Sequence, residues 1–193
     1  MDINNEDLFI ERCFKILEKR KPEKFFNNTI KENTTVVSQL IKSKVSKEDI
    51  VELENTFNIK LPSLYKCFIS SYCYNFTKLE AIVDNFMFED DREIFVDIIP
   101  QNIDDPLDDI REVYEQHYEI MEFGYIPIAD LNSCGPVCFD TKGDYELVWL
   151  DHEEYFQCES REALEAIAVP IFKDFRTFME AFFCGEKCKC EDM

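Results

Sequence analysis

Glycine is scarce in this chain, with only four residues in a sequence of 193. They stand at positions 124, 135, 143 and 185, each separated from the next by many residues. A P-loop and a dinucleotide-binding fingerprint both need glycines a few residues apart, because the backbone must approach a phosphate closely. The sequence therefore excludes both of these nucleotide-binding motifs.

Histidine is rarer still, and no serine stands in a G-x-S-x-G nucleophile motif. The two histidines are His117 and His152. We predict that the protein is not an enzyme and needs no cofactor. The alternative that stays open is an enzyme in which His152 acts as a base beside Asp151 or Asp140.

Long apolar runs are absent as well, and no window approaches the roughly 18 apolar residues of a membrane span. The first residues, Met1–Asp7, show neither the basic start nor the apolar run of a signal peptide. We therefore expect a cytoplasmic protein with no membrane partner.

The nine cysteines lack the C-x-x-C spacing that is typical of zinc ribbons and fingers. Their odd number and the missing export signal favour reduced thiols over disulfides. We predict no metal site, although the tail thiols Cys184, Cys188 and Cys190 leave open whether they bind a metal.

Basic residues are scarce in the central part of the chain. The net charge is -20, and residues 84–165 alone carry 24 acidic residues against four basic ones. The rest of the chain has equal numbers of acidic and basic residues and therefore no net charge. Nucleic acid and anionic membranes are disfavoured as direct partners, because phosphate binding needs basic residues. A basic protein surface is the favoured partner.

The acidic segment contains a predicted helix that begins with Asp105 as cap and Pro106 at its first position, then runs from Leu107 to about Met121. One side carries a stripe of carboxylates at helical spacing: Asp108, Glu112, Glu115, Glu119 and Glu122. Like charges four residues apart destabilise a helix by roughly 0.2–0.5 kcal/mol per pair. The stripe is either a solvated face or a docking surface for a basic partner, and this cost favours docking.

The remaining pattern mixes helices with strands. Two apolar runs on either side of Asp140–Asp144 predict a β-hairpin, and Pro127 confines the preceding strand to a sheet edge or a strand start. Two further strands are predicted at Leu79–Val83 and Glu93–Ile99. Helices are predicted from about Asn5 to Lys21, after Ser46, from Pro62, after Ser160 and after Asp174.

Three parts of the sequence together resemble the SUKH superfamily, the Smi/Knr-type domain of bacterial immunity proteins and fungal cell-wall regulators. The upstream part is Ile50–Ile69, with its Leu61–Pro62 turn, and the downstream part is Asp174–Met179. The central part contains Tyr125–Asp130, Gly135–Asp140 and Val148–Glu153. Their order and spacing match from roughly Ser46 to Phe183. The sequence departs from the family pattern after the second helix, where Ser70–Asn75 replaces a glycine-rich turn.

The resemblance implies an α+β fold with a twisted, mainly antiparallel sheet flanked by helices. Residues 45–184 would form this domain, and residues 1–44 a helical extension packed on it. Residues 185–193 would be a flexible tail that contains cysteines.

The resemblance also implies a non-catalytic binding protein. We expect an immunity protein, a monomer or a weak homodimer, that neutralises a nuclease-type or deaminase-type toxin. The residues predicted to contact this partner are Asp108, Glu112, Glu115, Glu119, Asp151, Glu153 and Glu154, with Tyr114 or Tyr118 as aromatic anchors. The alternative is an intracellular regulatory scaffold of the fungal type.

Overall fold

The structure is a computed structural model that describes residues 5–20, 41–74, 79–84, 93–131, 133–184 and 188–189. Its helices are α1 (Asn5–Arg20), α2 (Lys47–Thr56), α3 (Ser63–Ser71), α4 (Asp108–Gln116), α5 (Tyr118–Glu122), α6 (His152–Tyr155), α7 (Arg161–Ile167) and α8 (Phe175–Met179), which continues as a π-helical turn (Glu180–Cys184). Its strands are β1 (Ile41–Lys42), β2 (Tyr72–Cys73), β3 (Leu79–Asp84), β4 (Glu93–Ile98), β5 (Tyr125–Leu131), β6 (Pro136–Asp140), β7 (Glu146–Trp149), β8 (Val169–Phe172) and β9 (Cys188–Lys189).

The chain divides into two compact units. The first contains residues 1–77 and 100–111, and the second contains residues 78–99 and 112–193. One of the three boundaries along the chain therefore falls within α4, after Arg111. No helix in the described part of the chain is both long enough and apolar enough to cross a membrane.

In the first unit, α1 packs against α3 through aromatic rings. Phe14 is fully buried, and its ring centroid lies 5.7 Å from that of Phe68 and 4.8 Å from that of Tyr72. Such pairs contribute about 0.5–1.5 kcal/mol beyond their burial. The predicted N-terminal amphipathic helix is thus confirmed, with Ile10, Cys13 and Phe14 buried.

The start of α2 follows the predicted pattern, whereas the start of α3 differs from it by one residue. Ser46 Oγ accepts a hydrogen bond from the Asp49 amide at 3.1 Å, and Asp49 Oδ2 accepts one from the Ser46 amide at 2.7 Å. This reciprocal capping box satisfies two amides that the helix leaves without partners. Pro62 was expected inside the next helix, but its ψ of 144° is extended, so α3 begins at Ser63.

A buried carboxylate fixes the turn between α2 and α3. Glu54 is 4% exposed and accepts hydrogen bonds from the Leu61 amide at 2.8 Å and from Lys66 Nζ at 2.6 Å. Burial by itself raises the pKa of Glu54, but the bonds from Lys66 and Leu61 and the nearby charge of Lys60 outweigh it and lower this pKa below 4.5. The ionised form is therefore the one that the folded chain stabilises.

We expect the Glu54→Gln variant to lose about 1–3 kcal/mol of folding free energy at pH 7. A carboxyl whose folded-state pKa is lowered contributes stability above its unfolded pKa, near 4.5, and loses it as the pH falls through the folded value. The difference from the unmodified protein should therefore shrink in acid. Urea unfolding at pH 7 and at about pH 3.5 checks this, and a difference that stays constant with pH would contradict it.

The second unit is built on a seven-stranded sheet with the order β8-β7-β6-β5-β4-β3-β9. Neighbouring strands are antiparallel except β3 and β9, which pair in parallel. The sheet, with the helices around it, confirms the predicted α+β class. The predicted hairpin is also confirmed, because Cys138 pairs with Val148 and Phe139 with Leu147.

Pro127 was predicted to lie at a sheet edge or at a strand start, and it lies at neither, because β5 begins two residues earlier at Tyr125. Strand β5 pairs with both β4 and β6, so it lies in the interior of the sheet. The register with β6 shifts between Pro127 and Ala129, which is a bulge or irregularity in the ladder. Such a shift interrupts the regular hydrogen bonding, so a residue without an N–H can be accommodated there.

Both faces of this sheet are covered by helices. On one face, Tyr125, Cys138 and Val148 belong to a buried cluster with Ile120 of α5 and Leu164 of α7. The opposite face is aromatic. The Phe139 and Phe172 rings lie 5.7 Å from Phe175 and 5.5 Å from Phe178, which confirms α8 as a core helix, capped by Asp174 as predicted.

Several predictions fall on parts of the chain outside the described residues. They are residues 21–40 of the predicted N-terminal extension and Asn75, the last residue of the segment that departs from the family pattern. The predicted flexible tail is described only at Cys188–Lys189, which form strand β9 beside β3. The side chains of Cys184, Cys188 and Cys190 are also outside the described part.

Candidate functional site

The predicted acidic helix is two helices rather than one. α4 ends at Gln116 and α5 begins at Tyr118, because His117 between them has φ -111° and ψ 22°. The first helix also begins later than expected, at Asp108, after the Asp105 carboxylate accepts a hydrogen bond from the Leu107 amide. The prediction of one continuous helix from Leu107 to Met121 is therefore wrong.

The break at His117 coincides with a contact to α6. His117 Nδ1 and the Tyr155 hydroxyl form a hydrogen bond at 3.3 Å, and the two ring centroids are 5.9 Å apart. Tyr155 is 6% exposed and belongs to the buried cluster that contains Ile120 of α5. The start of α5 and the end of α6 are thereby held against each other.

The carboxylates carried by these helices are exposed. The surface termed here the acidic surface consists of the exposed residues Glu112, Glu115, Glu119, Glu122, Glu153 and Glu154. Asp151 is half-buried and caps α6, since its Oδ1 accepts a hydrogen bond from the Glu153 amide at 2.8 Å. Asp108 is exposed too, but it belongs to the first unit. The acidic surface as defined lies wholly within the second unit.

The two tyrosines that were predicted as anchors differ in exposure. Tyr118 is 50% exposed. Tyr114 is fully buried, so the prediction that it anchors a partner is wrong. Tyr114 lies on the inward side of α4, where its ring contributes to the core rather than to the surface.

The segment that carries the acidic surface contains few basic residues. Residues 112–165 contain fourteen Asp and Glu residues but only two basic residues, Lys142 and Arg161. Arg161 is 7% exposed and bound to Asp140. Within the described part of the chain, no ion pair involves any of the six carboxylates of the acidic surface. Arg111, the residue before Glu112, pairs with Asp105 at 3.1 Å.

Arg161 itself has a structural role. Its Nη2 donates to Asp140 Oδ2 at 2.5 Å, its Nη1 donates to the Phe123 carbonyl at 3.1 Å, and its guanidinium lies 4.0 Å from the centre of the Tyr125 ring. Burial opposes the charge, but hydrogen bonds to Asp140 and Glu165 outweigh it and raise the pKa of Arg161. These contacts fix α7 to the sheet and hold the end of α5.

His152 is oriented by a backbone carbonyl rather than by the Asp140 carboxylate that the enzyme alternative named. His152 Nδ1 lies 2.8 Å from the carbonyl oxygen of Cys134, and since a carbonyl only accepts, this nitrogen carries the proton. Asp140 is bound to Arg161 instead. Pairing of His152 with Asp140 is therefore wrong. The described residues also contain no group of three or more His, Cys, Asp or Glu side chains that could hold a metal ion.

We expect the stability of the protein to fall as the pH drops below about 6.5, because burial lowers the pKa of His117 from 6.5. The unfolded chain then binds a proton that the folded chain resists, so acid favours unfolding. The His117→Phe variant keeps the ring contact with Tyr155 but cannot be charged. Its unfolding free energy, measured by urea denaturation between pH 7.5 and 5.5, should depend less on pH. An unchanged pH dependence would contradict this.

Sequence reasoning missed Phe156, whose side chain is 72% exposed at the end of α6. The adjacent residue Tyr155 points inward, and the two ring centroids are 4.2 Å apart. Because α6 is a single turn, no apolar periodicity indicates which of the two rings is buried. The nearest signal in the sequence is the run of glutamates beside this aromatic pair.

One comparison with known proteins gives a family. Residues 44–181 match the SMI1 / KNR4 family (SUKH-1), which is more than two thirds of the chain. The match includes α2 to α8 and strands β2 to β8. A comparison with curated proteins gives no match.

Proposed function

Because this chain belongs to the SMI1 / KNR4 family (SUKH-1), we propose that it is a non-catalytic binding protein whose acidic surface receives a basic protein. The observation that carries the proposal is the placement of six exposed carboxylates on helices that the His117–Tyr155 contact holds together. No chemistry at the site is required, since occupying a partner's surface is enough to block it.

The arrangement of the carboxylates supports binding over simple solubility. Glu112 and Glu115 are three residues apart in α4, as are Glu119 and Glu122 in α5, so carboxylates are neighbours within each helix. Alternating acidic and basic residues would make an equally soluble helix with favourable pairs. A surface of one sign instead attracts a partner of the opposite sign and speeds its association.

The partner that we propose is a toxin domain of the nuclease or deaminase type, which the present protein would neutralise as an immunity protein. Enzymes of these types hold phosphates with basic residues, so a surface of clustered carboxylates competes for the same groups. A regulatory role of the fungal type predicts a signalling or cell-wall protein as partner. The identity of the captured partner separates these two roles.

The test compares two variants with the same change in net charge. One variant replaces carboxylates of the acidic surface: Glu112→Gln, Glu115→Gln, Glu119→Gln and Glu153→Gln. The control replaces exposed acidic residues elsewhere: Glu48→Gln, Glu52→Gln, Asp104→Asn and Asp144→Asn. A tagged protein is used to capture the partner, which is identified by mass spectrometry and purified for titration calorimetry.

We expect the acidic-surface variant to bind the partner about 100-fold more weakly than the unmodified protein, because several close charge pairs are lost. The control should stay within a few-fold of the unmodified protein. Equal losses in both variants would show that net charge alone matters and would contradict the proposed surface. A toxin domain among the captured proteins supports the immunity role. A signalling protein captured instead of a toxin domain would contradict that role.

A further inference from the structure

Phe156 is the most exposed of the large apolar side chains that the structure describes. Its 72% exposure compares with 52% for Val51, 50% for Tyr118 and 49% for Leu8. An aromatic ring in water is unfavourable in proportion to its apolar area. A ring left in this position offers a large area for burial against another molecule.

The ring of Phe156 is also held in place. It packs on Tyr155, with a centroid separation of 4.2 Å and an interplanar angle of 33°, and Tyr155 is itself buried and bonded to His117. The backbone on either side is fixed by hydrogen bonds from the Gln157 amide to Glu154 O at 3.1 Å and from the Cys158 amide to Tyr155 O at 3.0 Å. Binding therefore needs little further ordering of this segment, which reduces its entropic cost.

The charges around Phe156 restrict what can cover it. Exposed Glu153 and Glu154 precede it and exposed Glu159 follows it, while the nearest basic residue along the chain, Arg161, is buried. A helix that lies on a membrane surface is rich in lysine and arginine instead. A purely apolar surface would leave the carboxylates without counter-charges. A cationic protein surface with an apolar part complements both the carboxylates and the ring of Phe156.

We propose that Phe156 is the anchor of the docking surface and enters an apolar recess rimmed by lysine or arginine on the basic partner. This inference rests on the proposed function and adds the chemistry of the partner's surface. Anchors of this kind are aromatic, central and well packed, and they carry most of the binding energy. The carboxylates set the rate of association, whereas Phe156 sets the rate of dissociation.

The test uses two synthetic helical peptides of equal length and equal lysine content as probes. One peptide carries a stripe of leucines, and the other carries glutamine at the same positions. The full-length protein is titrated with each peptide by fluorescence anisotropy, together with the Phe156→Ala variant and a Leu8→Ala control. The four-residue glutamine variant of the acidic surface and phosphatidylcholine vesicles complete the set.

We expect the unmodified protein to bind the leucine peptide at least about tenfold more tightly than the glutamine peptide. Phe156→Ala should remove this preference and leave binding of the glutamine peptide unchanged, and Leu8→Ala should change neither. A preference that survives Phe156→Ala, or that Leu8→Ala removes equally, would overturn the inference. So would binding to the vesicles that requires Phe156 but not the carboxylates.

Failure of the inference can be told apart from failure of the proposed function. If both peptides bind equally and the four glutamines abolish binding, the acidic surface receives cations and only the role of Phe156 is rejected. If neither peptide binds, or if the four glutamines leave binding unchanged, the proposed function is rejected together with the inference.

Discussion

Replacing Gly135 with alanine is expected to lower the free energy of unfolding by roughly 3–5 kcal/mol, because strain and overlap act together. Gly135 has φ +144°, a conformation that other residues rarely adopt, and a Cβ there would overlap the Leu150 carbonyl oxygen and lie 2.9 Å from the His152 amide. The surroundings cannot yield, since both neighbours are backbone. Urea unfolding followed by circular dichroism measures the loss.

Gly143→Ala is the matched control for this change. A Cβ at position 143 would lie 2.6 Å from Glu146 Oε1, the end of a flexible side chain that can move away, and 3.2 Å from the Asp140 carboxyl carbon, where a shift of a few tenths of an ångström relieves the contact. We expect a loss below about 1 kcal/mol there. Equal stability of the two variants would mean that the close approach at Gly135 does not constrain the fold. Gly135→Ala would also disturb the candidate site, because the Cys134 carbonyl beside Gly135 accepts a hydrogen bond from the His152 amide at the start of α6.

The Arg161→Ala variant is expected to lose about 3–5 kcal/mol of its free energy of unfolding, since the substitution leaves the Asp140 carboxylate buried without its counter-charge. Asp140 is 6% exposed and Arg161 is 7% exposed, so water does not replace the lost contacts. Calorimetric or urea unfolding at pH 7 measures the change. The Phe123 carbonyl at the end of α5 also loses a donor.

Glu165→Gln is the control for this experiment, because Glu165 is the other carboxylate bound to Arg161, at 2.6 Å from its Nε. Its side chain is 50% exposed, and ion pairs at that exposure contribute about 0–1 kcal/mol. A small loss in Glu165→Gln beside a large one in Arg161→Ala is the predicted result. Similar losses in the two variants would show that burial of the Asp140–Arg161 pair adds nothing to the free energy of unfolding.

The parts of the fold that were predictable from the sequence depend on short-range signals. Ser46, Ser160 and Asp174 cap helices as expected, because a cap bonds to an amide only three residues away. The hairpin from Pro136 to Trp149 was visible in two apolar runs around a turn that contains glycine. Neither signal depends on the rest of the chain.

The errors arise where a distant contact decides the local structure. The break at His117 accompanies a bond to Tyr155, which is 38 residues away. The interior position of Pro127 depends on a register shift against β6. No residue near either position indicates these partners, so propensity alone predicts an uninterrupted helix and an edge strand.

The candidate site was predictable in its charges but not in its aromatic residues. Glutamates at helical spacing are a property of one segment, and their exposure follows from their cost of burial. Whether Tyr114 or Tyr118 faces outward, and whether Tyr155 or Phe156 does, depends on packing against other elements. The structure places Tyr118 and Phe156 outside.

The central claim is that the acidic surface attracts a basic protein. Its most direct test is the association rate constant for the captured partner, measured by stopped flow from about 0.05 to 0.5 M salt, over which the Debye length falls severalfold. We predict a rate that falls steeply with salt for the unmodified protein and for the control variant, but is slow and nearly independent of salt for the four-glutamine variant of the acidic surface. A rate that does not change with salt, or one that the four glutamines leave unchanged, would contradict the claim.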